Sequence, residues 1–348
     1  MNAYTPQSTA VVVVVVTILL SVLVIGYAIT RLHSLGSARL SAWLMVVVGV
    51  VGVERLTSDQ PAGFRMLAII GVLLYCMKSV VSVEACAADK SKMSTWNWCR
   101  FAALWFGMRP ELFSRPSNSR RSGGGALCWL GVKRLIAGAL LVVAARAIWI
   151  APLESVPETT RRIAASIILL PGLSLVVHFG FFNILAGLWR IRGVNCRALF
   201  RAPLLSKSLA EFWGRRWNLA FSEMTALGVF RPLRGYVGTR MATNVAFLFS
   251  GLLHELAISV PVNAGYGRPA LYFALQSIAM SVERRRERMA VPISGVPWRG
   301  KLWTISWLLI PLPLLFHEPF LNGCVWPLIG MEIPTAEGLS GVAMGTVF

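Results

Sequence analysis

His254 follows the run Phe247-Leu248-Phe249-Ser250-Gly251-Leu252-Leu253, in which every side chain is apolar or small. Its imidazole can take up or release a proton near neutral pH. An ionisable group set among membrane-length apolar sequence faces a bundle interior or a wet cavity, and a functional role is the first reading of it. At helical spacing Thr243, Ser250, Gly251, His254 and Ala257 fall on one side, a small and weakly polar stripe that could line such a cavity. The competing reading is a structural histidine bonded to a neighbouring helix. Upstream, Phe212-Trp213-Gly214-Arg215-Arg216-Trp217-Asn218 sets two guanidinium groups among three aromatic rings, directly before an amide. Guanidinium groups bind phosphate oxygens bidentately. Arg beside Trp equally suits an anchor in the headgroup layer.

Whatever positions these groups is membrane-embedded. The 348 residues are 56% hydrophobic and 14% charged, with a mean hydropathy of +0.64, outside the soluble range. Apolar runs that approach or reach bilayer length extend over Val11 to Ile29, Ala42 to Val53, Phe64 to Val83, Leu127 to Ile150, Ile163 to Ala186, Met241 to Val260, Pro269 to Val282 and Leu302 to Phe316. They predict an all-α integral membrane protein, a helical bundle of about eight transmembrane helices with interfacial helices. No basic residue precedes the first run, so it reads as an uncleaved span. The chain reads as one membrane domain, 1–348, with a basic, Trp-rich interfacial segment at 84–126. The moderately apolar stretch Trp217 to Phe230 is expected in the interface or partly re-entrant.

A net charge of +19 would suit nucleic acid if it lay on a soluble surface. Its placement argues otherwise. Basic residues gather after alternate spans: Arg31 and Arg39; Lys90, Lys92, Arg100, Arg109, Arg115, Arg120 and Arg121; Arg190 to Arg216; Arg284 to Lys301. The intervening loops hold Glu54, Asp59, Glu154 and Glu158. This positive-inside pattern puts the amino terminus outside the cytoplasm, the loops around Ser117 and Arg286 inside, and the Pro157 loop opposite. No nucleic-acid partner is called for. The six cysteines show no C-x-x-C spacing, so neither a disulfide framework nor a zinc site is indicated.

Two motifs carry a family resemblance. Ser208-Leu209-Ala210-Glu211-Phe212-Trp213-Gly214-Arg215-Arg216-Trp217-Asn218 resembles the S-x-x-x-F-W-x-R-R-W-N segment of the membrane-bound O-acyltransferases, and Phe247 to Glu255 resembles their F-x-x-S-G-x-x-H-E stretch. Their order and spacing, within 186–282, also match that family, and within it the resemblance is to the wax-synthase-like branch. It implies transfer of an acyl group from acyl-coenzyme A, a co-substrate and not a permanently bound cofactor, to the hydroxyl of a lipophilic alcohol. His254 would be the general base, and Asn218 would orient it or stabilise the tetrahedral intermediate. Arg215, Arg216, Trp213 and Trp217 would serve the coenzyme. Membrane lipids are the other partners, in a bacterial inner membrane or an endoplasmic reticulum.

Rival chemistries have less support. His254-Glu255 begins an H-E-x-x-H metalloprotease motif, but Ile258 stands where the second ligand would be, and His317-Glu318-Pro319 fails likewise. A transporter or channel could use His178, Glu223, His254 and Glu255 as a proton or solute path, yet no inverted repeat is evident and the Arg-Trp motif would be unexplained. A sensor or scaffold without turnover is a third possibility.

Overall fold

The computed structural model describes residues 2–89, 93–114, 122–152, 155–289 and 293–331. Ser117, Lys90, Lys92, Arg115, Arg120, Arg121 and Glu154 lie outside them. Among the described residues every regular element is a helix. That is the expected outcome in a medium that offers backbone groups no water. The same constraint explains why Val11 to Val16, β-branched and strand-prone in water, lies within α1 (Thr9–Ile29).

Among the described residues six helical stretches are long and apolar enough to cross a membrane: α1, α2 (Leu35–Leu56), α3 (Ala62–Ala87), and, past the short α4 (Thr95–Leu104), α5 (Gly124–Ile150), α6 (Glu158–Ile191) and α7 (Leu219–Val262). The multi-span bundle is as expected, with six or seven candidate spans by length and composition where about eight were expected. The run Pro269 to Val282 forms α8 (Arg268–Arg288), which falls outside that set and ends in a cluster of arginines. The last run forms Pro297–Leu315 and Glu318–Ile329, bent by 68° where prolines and His317 interrupt it; counted as one broken span, this pair makes seven.

The core is built on α3, whose apolar window is 67% buried, against 11% for α5. Fully buried Lys78 of α3 donates to the carbonyls of Phe101, Trp105 and Gly107 at 3.1, 2.7 and 2.7 Å. Those groups lie at or beyond the carboxyl end of α4, where a cation is favoured. This pins α4 and the turn after it to the bundle, with Trp98 and Trp105 buried and Trp96 exposed. Helices α5 and α6 meet through glycines: a Cβ on Gly131 or Gly138 would lie 2.8 or 2.7 Å from the carbonyl oxygen of Gly180 or Gly172. Such close backbone approach is how helices associate inside lipid. The open ends of this hairpin are joined by Arg190, whose Nη2 donates to the Ser122 carbonyl at 2.6 Å, so the Pro157 turn lies at the opposite end.

Trp217 to Phe230, expected in the interface or partly re-entrant, is largely helical. From Leu219 it forms the first arm of α7, and Gly238, at φ 76° and ψ 166°, breaks that helix and reverses the chain. The arms 219–237 and 239–262 run back along each other, bringing the Phe221 and His254 rings to 5.2 Å.

Candidate active site

The arms of α7, the turn 209–217 and α8 enclose a cavity of about 330 Å³. His254 and Asn218 both line it, as do Trp213 and Trp217. Of the stripe read from the sequence, Thr243, Ser250 and His254 line the cavity. Gly251 instead faces α8, where a Cβ would sit 2.9 Å from the Ala270 Cα. The Ser-Gly pair therefore has two local roles: the glycine admits the α8 backbone, and the serine supplies the carbonyl that holds the imidazole.

That carbonyl fixes the tautomer. His254 Nδ1 lies 2.7 Å from the Ser250 oxygen, which can only accept, so Nδ1 carries the proton and Nε2 keeps its lone pair. Phe221 and Phe273 flank the ring at centroid distances of 5.2 and 4.3 Å. Glu255 points elsewhere: its Oε1 accepts from the Ala270 amide at 3.0 Å, in the first turn of α8. One residue on from His254, this side chain leaves the helix about 100° away from the imidazole and so meets the neighbouring helix. A π-helical turn, Glu255–Ser259, starts directly after His254, and another, Phe212–Arg216, carries the Arg-Trp motif; such turns gather at functional positions.

The motif turn is fastened at both ends. Ser208 and Glu211 have the S-x-x-E spacing of a capping box. Ser208 Oγ accepts from the Glu211 amide at 3.0 Å, and the Glu211 carboxylate accepts from the Lys207 amide at 2.8 Å. Glu283 of α8 accepts from the Leu209 and Ala210 amides at 2.8 and 3.2 Å. At the far end Asn218 adopts the left-handed conformation, φ 42°, which asparagine tolerates better than most residues. Its Oδ1 accepts from the Phe221 amide at 3.2 Å and caps α7, which leaves the Nδ2 donors for the cavity. Trp213 donates its indole N–H to Gln276 at 3.3 Å, and Trp217 stacks on Phe212.

The structure separates the two arginines. Arg216 is bound to Glu211 at 2.6 Å and donates to the carbonyls of Arg201 and Ala202, while Arg215 is exposed; neither lines the cavity. Burial would raise the Glu211 carboxyl, but the Lys207 amide and Arg216 outweigh it and hold it below its ordinary value. His178 also lies outside the cavity, stacked on Phe200 at 4.5 Å with its Nδ1 against Ser174 Oγ. Glu223 and Glu255 do not line it either, so the four groups of a transport path do not share this space. Among the described residues no cluster of metal-ligating side chains occurs. Arg284 and Ser222 line the cavity without having been singled out in the sequence. For Arg284 the signal was its helical spacing from Met280, another lining residue, within an otherwise loop-like basic run.

Residues 196–275 match the Membrane bound O-acyl transferase family. The chain is 30% identical to the Probable long-chain-alcohol O-fatty-acyltransferase 9 of Arabidopsis thaliana, over 37% of this chain and 42% of the relative. It is also 30% identical to the Long-chain-alcohol O-fatty-acyltransferase of Simmondsia chinensis, over 34% and 39%. The matched part spans about two fifths of those relatives. The cavity-lining residues of the motif turn, α7 and the start of α8 fall inside the matched segment, whereas Met280 and Arg284 lie beyond it. Residues 196–275 are thus similar to the Membrane bound O-acyl transferase family, and part of the chain resembles plant long-chain-alcohol O-fatty-acyltransferases.

Proposed function

We propose that this protein transfers an acyl group from acyl-coenzyme A to the hydroxyl of a lipophilic alcohol, forming an ester and free coenzyme A. The observation that carries this reading is one cavity lined by both a histidine with a free Nε2 and an asparagine with unengaged amide donors. Nε2 takes the alcohol proton as its oxygen attacks the thioester carbon. The carbonyl oxygen becomes negative in the tetrahedral intermediate and meets the Nδ2 hydrogens of Asn218. Collapse forms the ester and expels the coenzyme thiolate, which takes the proton back from Nε2. Asn218 acts on the oxyanion and not on the base, because Ser250 already orients the ring. Trp213 and Trp217 wall the coenzyme side. Arg215 meets coenzyme phosphates from the exposed turn, and Arg216 shapes that turn through Glu211. The names of the two plant relatives support an alcohol acceptor.

The test is purified protein given mixed acyl-coenzyme A species and a panel of fatty alcohols and membrane lipids, with products identified by mass. Esters formed with release of coenzyme A are expected. Uptake or release of solute by reconstituted vesicles, with no ester from any pair, would favour the transport reading.

A further inference from the structure

The end of the cavity away from His254 is charged. Helix α8 runs antiparallel to the second arm of α7: Ala270 meets Glu255, and Ser277 donates to Asn244 Oδ1 at 3.1 Å. Eleven residues, about 16 Å of helix, then separate Phe273 against the imidazole from Arg284 at the other end. Arg284 lines the cavity, and its Nη2 donates to Ser281 Oγ at 3.3 Å. Burial makes it harder to keep Arg284 charged, and the charges of Arg240 and Arg288 add to this. The buried acid beside it in sequence, Glu283, spends both oxygens on the Leu209 and Ala210 amides, which leaves exposed Glu287 as the other nearby acid. A lining guanidinium among like charges calls for an anionic ligand, and its fork matches phosphate.

We propose that Arg284, supported by the charge of Arg240, binds the phosphate-bearing end of the acyl donor at the cavity mouth, so that the donor spans the cavity with its thioester at His254. This rests on the acyl-coenzyme A reading above. It assigns the enclosed phosphate contact to α8, beyond the segment matched to the family, and leaves Arg215 to the exposed rim. A lipid headgroup would present the same phosphate chemistry. The donor is favoured because Arg284 lies on the wall of the space that holds the reactive groups.

The test compares the parent, Arg284→Gln, Arg284→Lys and Arg240→Gln as purified full chains. It measures donor KM and kcat, and the binding of free coenzyme A by calorimetry. Arg284→Gln should raise donor KM about tenfold, lower kcat far less, and weaken coenzyme A binding to a similar degree. Arg284→Lys should recover part of both, and Arg240→Gln should show a smaller shift. If Arg284→Gln does not fold, the Lys and Arg240 variants decide alone, and unchanged KM in both overturns the proposal. Parental KM and coenzyme A binding in Arg284→Gln, with loss only of binding to phosphatidylglycerol vesicles, would assign the site to lipid and overturn it too. A parent that makes no ester and binds no coenzyme A would instead refute the proposed function itself.

Discussion

Helices α5 and α6 are joined by absence of side chains, whereas the block from Ser208 to Arg288 is joined by side chains that reach backbone. In the first pair, glycines bring backbone against backbone and shape complementarity supplies the attraction. In the second, Ser208, Asn218, Glu255 and Glu283 each accept from a helix-end amide, and Gln276 bridges Trp213 to the Trp307 carbonyl. The two kinds of attachment meet different needs. Glycine contacts set a distance between helices, but polar caps fix the direction of a turn, and the reactive groups sit on turns of that kind.

Breaking the glycine seam should have the largest effect. Gly138→Leu would drive a side chain into the Gly172 carbonyl and the Val176 amide, and folded protein should fall about tenfold or more by fluorescence-detected size exclusion. Parental abundance would mean that α5 and α6 can separate at no cost. Within the polar block, cap and chemistry can be divided at Asn218. Asn218→Ala loses both, whereas Asn218→Asp keeps an N-cap oxygen and loses the donors. Both should lose about a hundredfold in kcat, while only the Ala variant loses about 1 kcal/mol of stability. An active Asp variant would contradict the donor role.

Glu283→Gln offers one acceptor oxygen where two are in use. It should cost about 1 kcal/mol and lower the thermal midpoint by a few degrees. The smallest effect belongs to the rim. Glu211→Gln should cost a few tenths of a kcal/mol at neutral pH, since its bridge to Arg216 is partly exposed. Because the native carboxyl is held below its unfolded value, the advantage of the parent should be present above the ordinary carboxylate range. It should vanish as the pH falls through the native value, a trend readable from thermal midpoints across acid buffers.

The sequence exposed the scaffold well where windows of apolar residues were long: α1, α3, α5 and α6 follow directly from their runs. It exposed His254 because an imidazole in apolar sequence is conspicuous, and Asn218 because it ends a recognisable motif. It hid the reversal at Gly238, since hydropathy averages over many residues and one backbone angle turns the chain. It also hid the seam between α5 and α6, where Gly131 and Gly138 acquire meaning only opposite Gly180 and Gly172. Arg284 read as one more topological charge because a run of arginines does not show which of them turns inward. Arg216 matched the motif, yet its partner Glu211 lay in the same motif, and only geometry shows the two engaged with each other.

In the proposed mechanism His254 moves the proton in a cavity that Asn218 completes. The most direct measurement is single-turnover ester formation by purified His254→Ala beside the parent, normalised to folded protein. Normal abundance and a loss of about a hundredfold or more are expected. A normally folded variant that keeps more than about a tenth of the parental rate would contradict it.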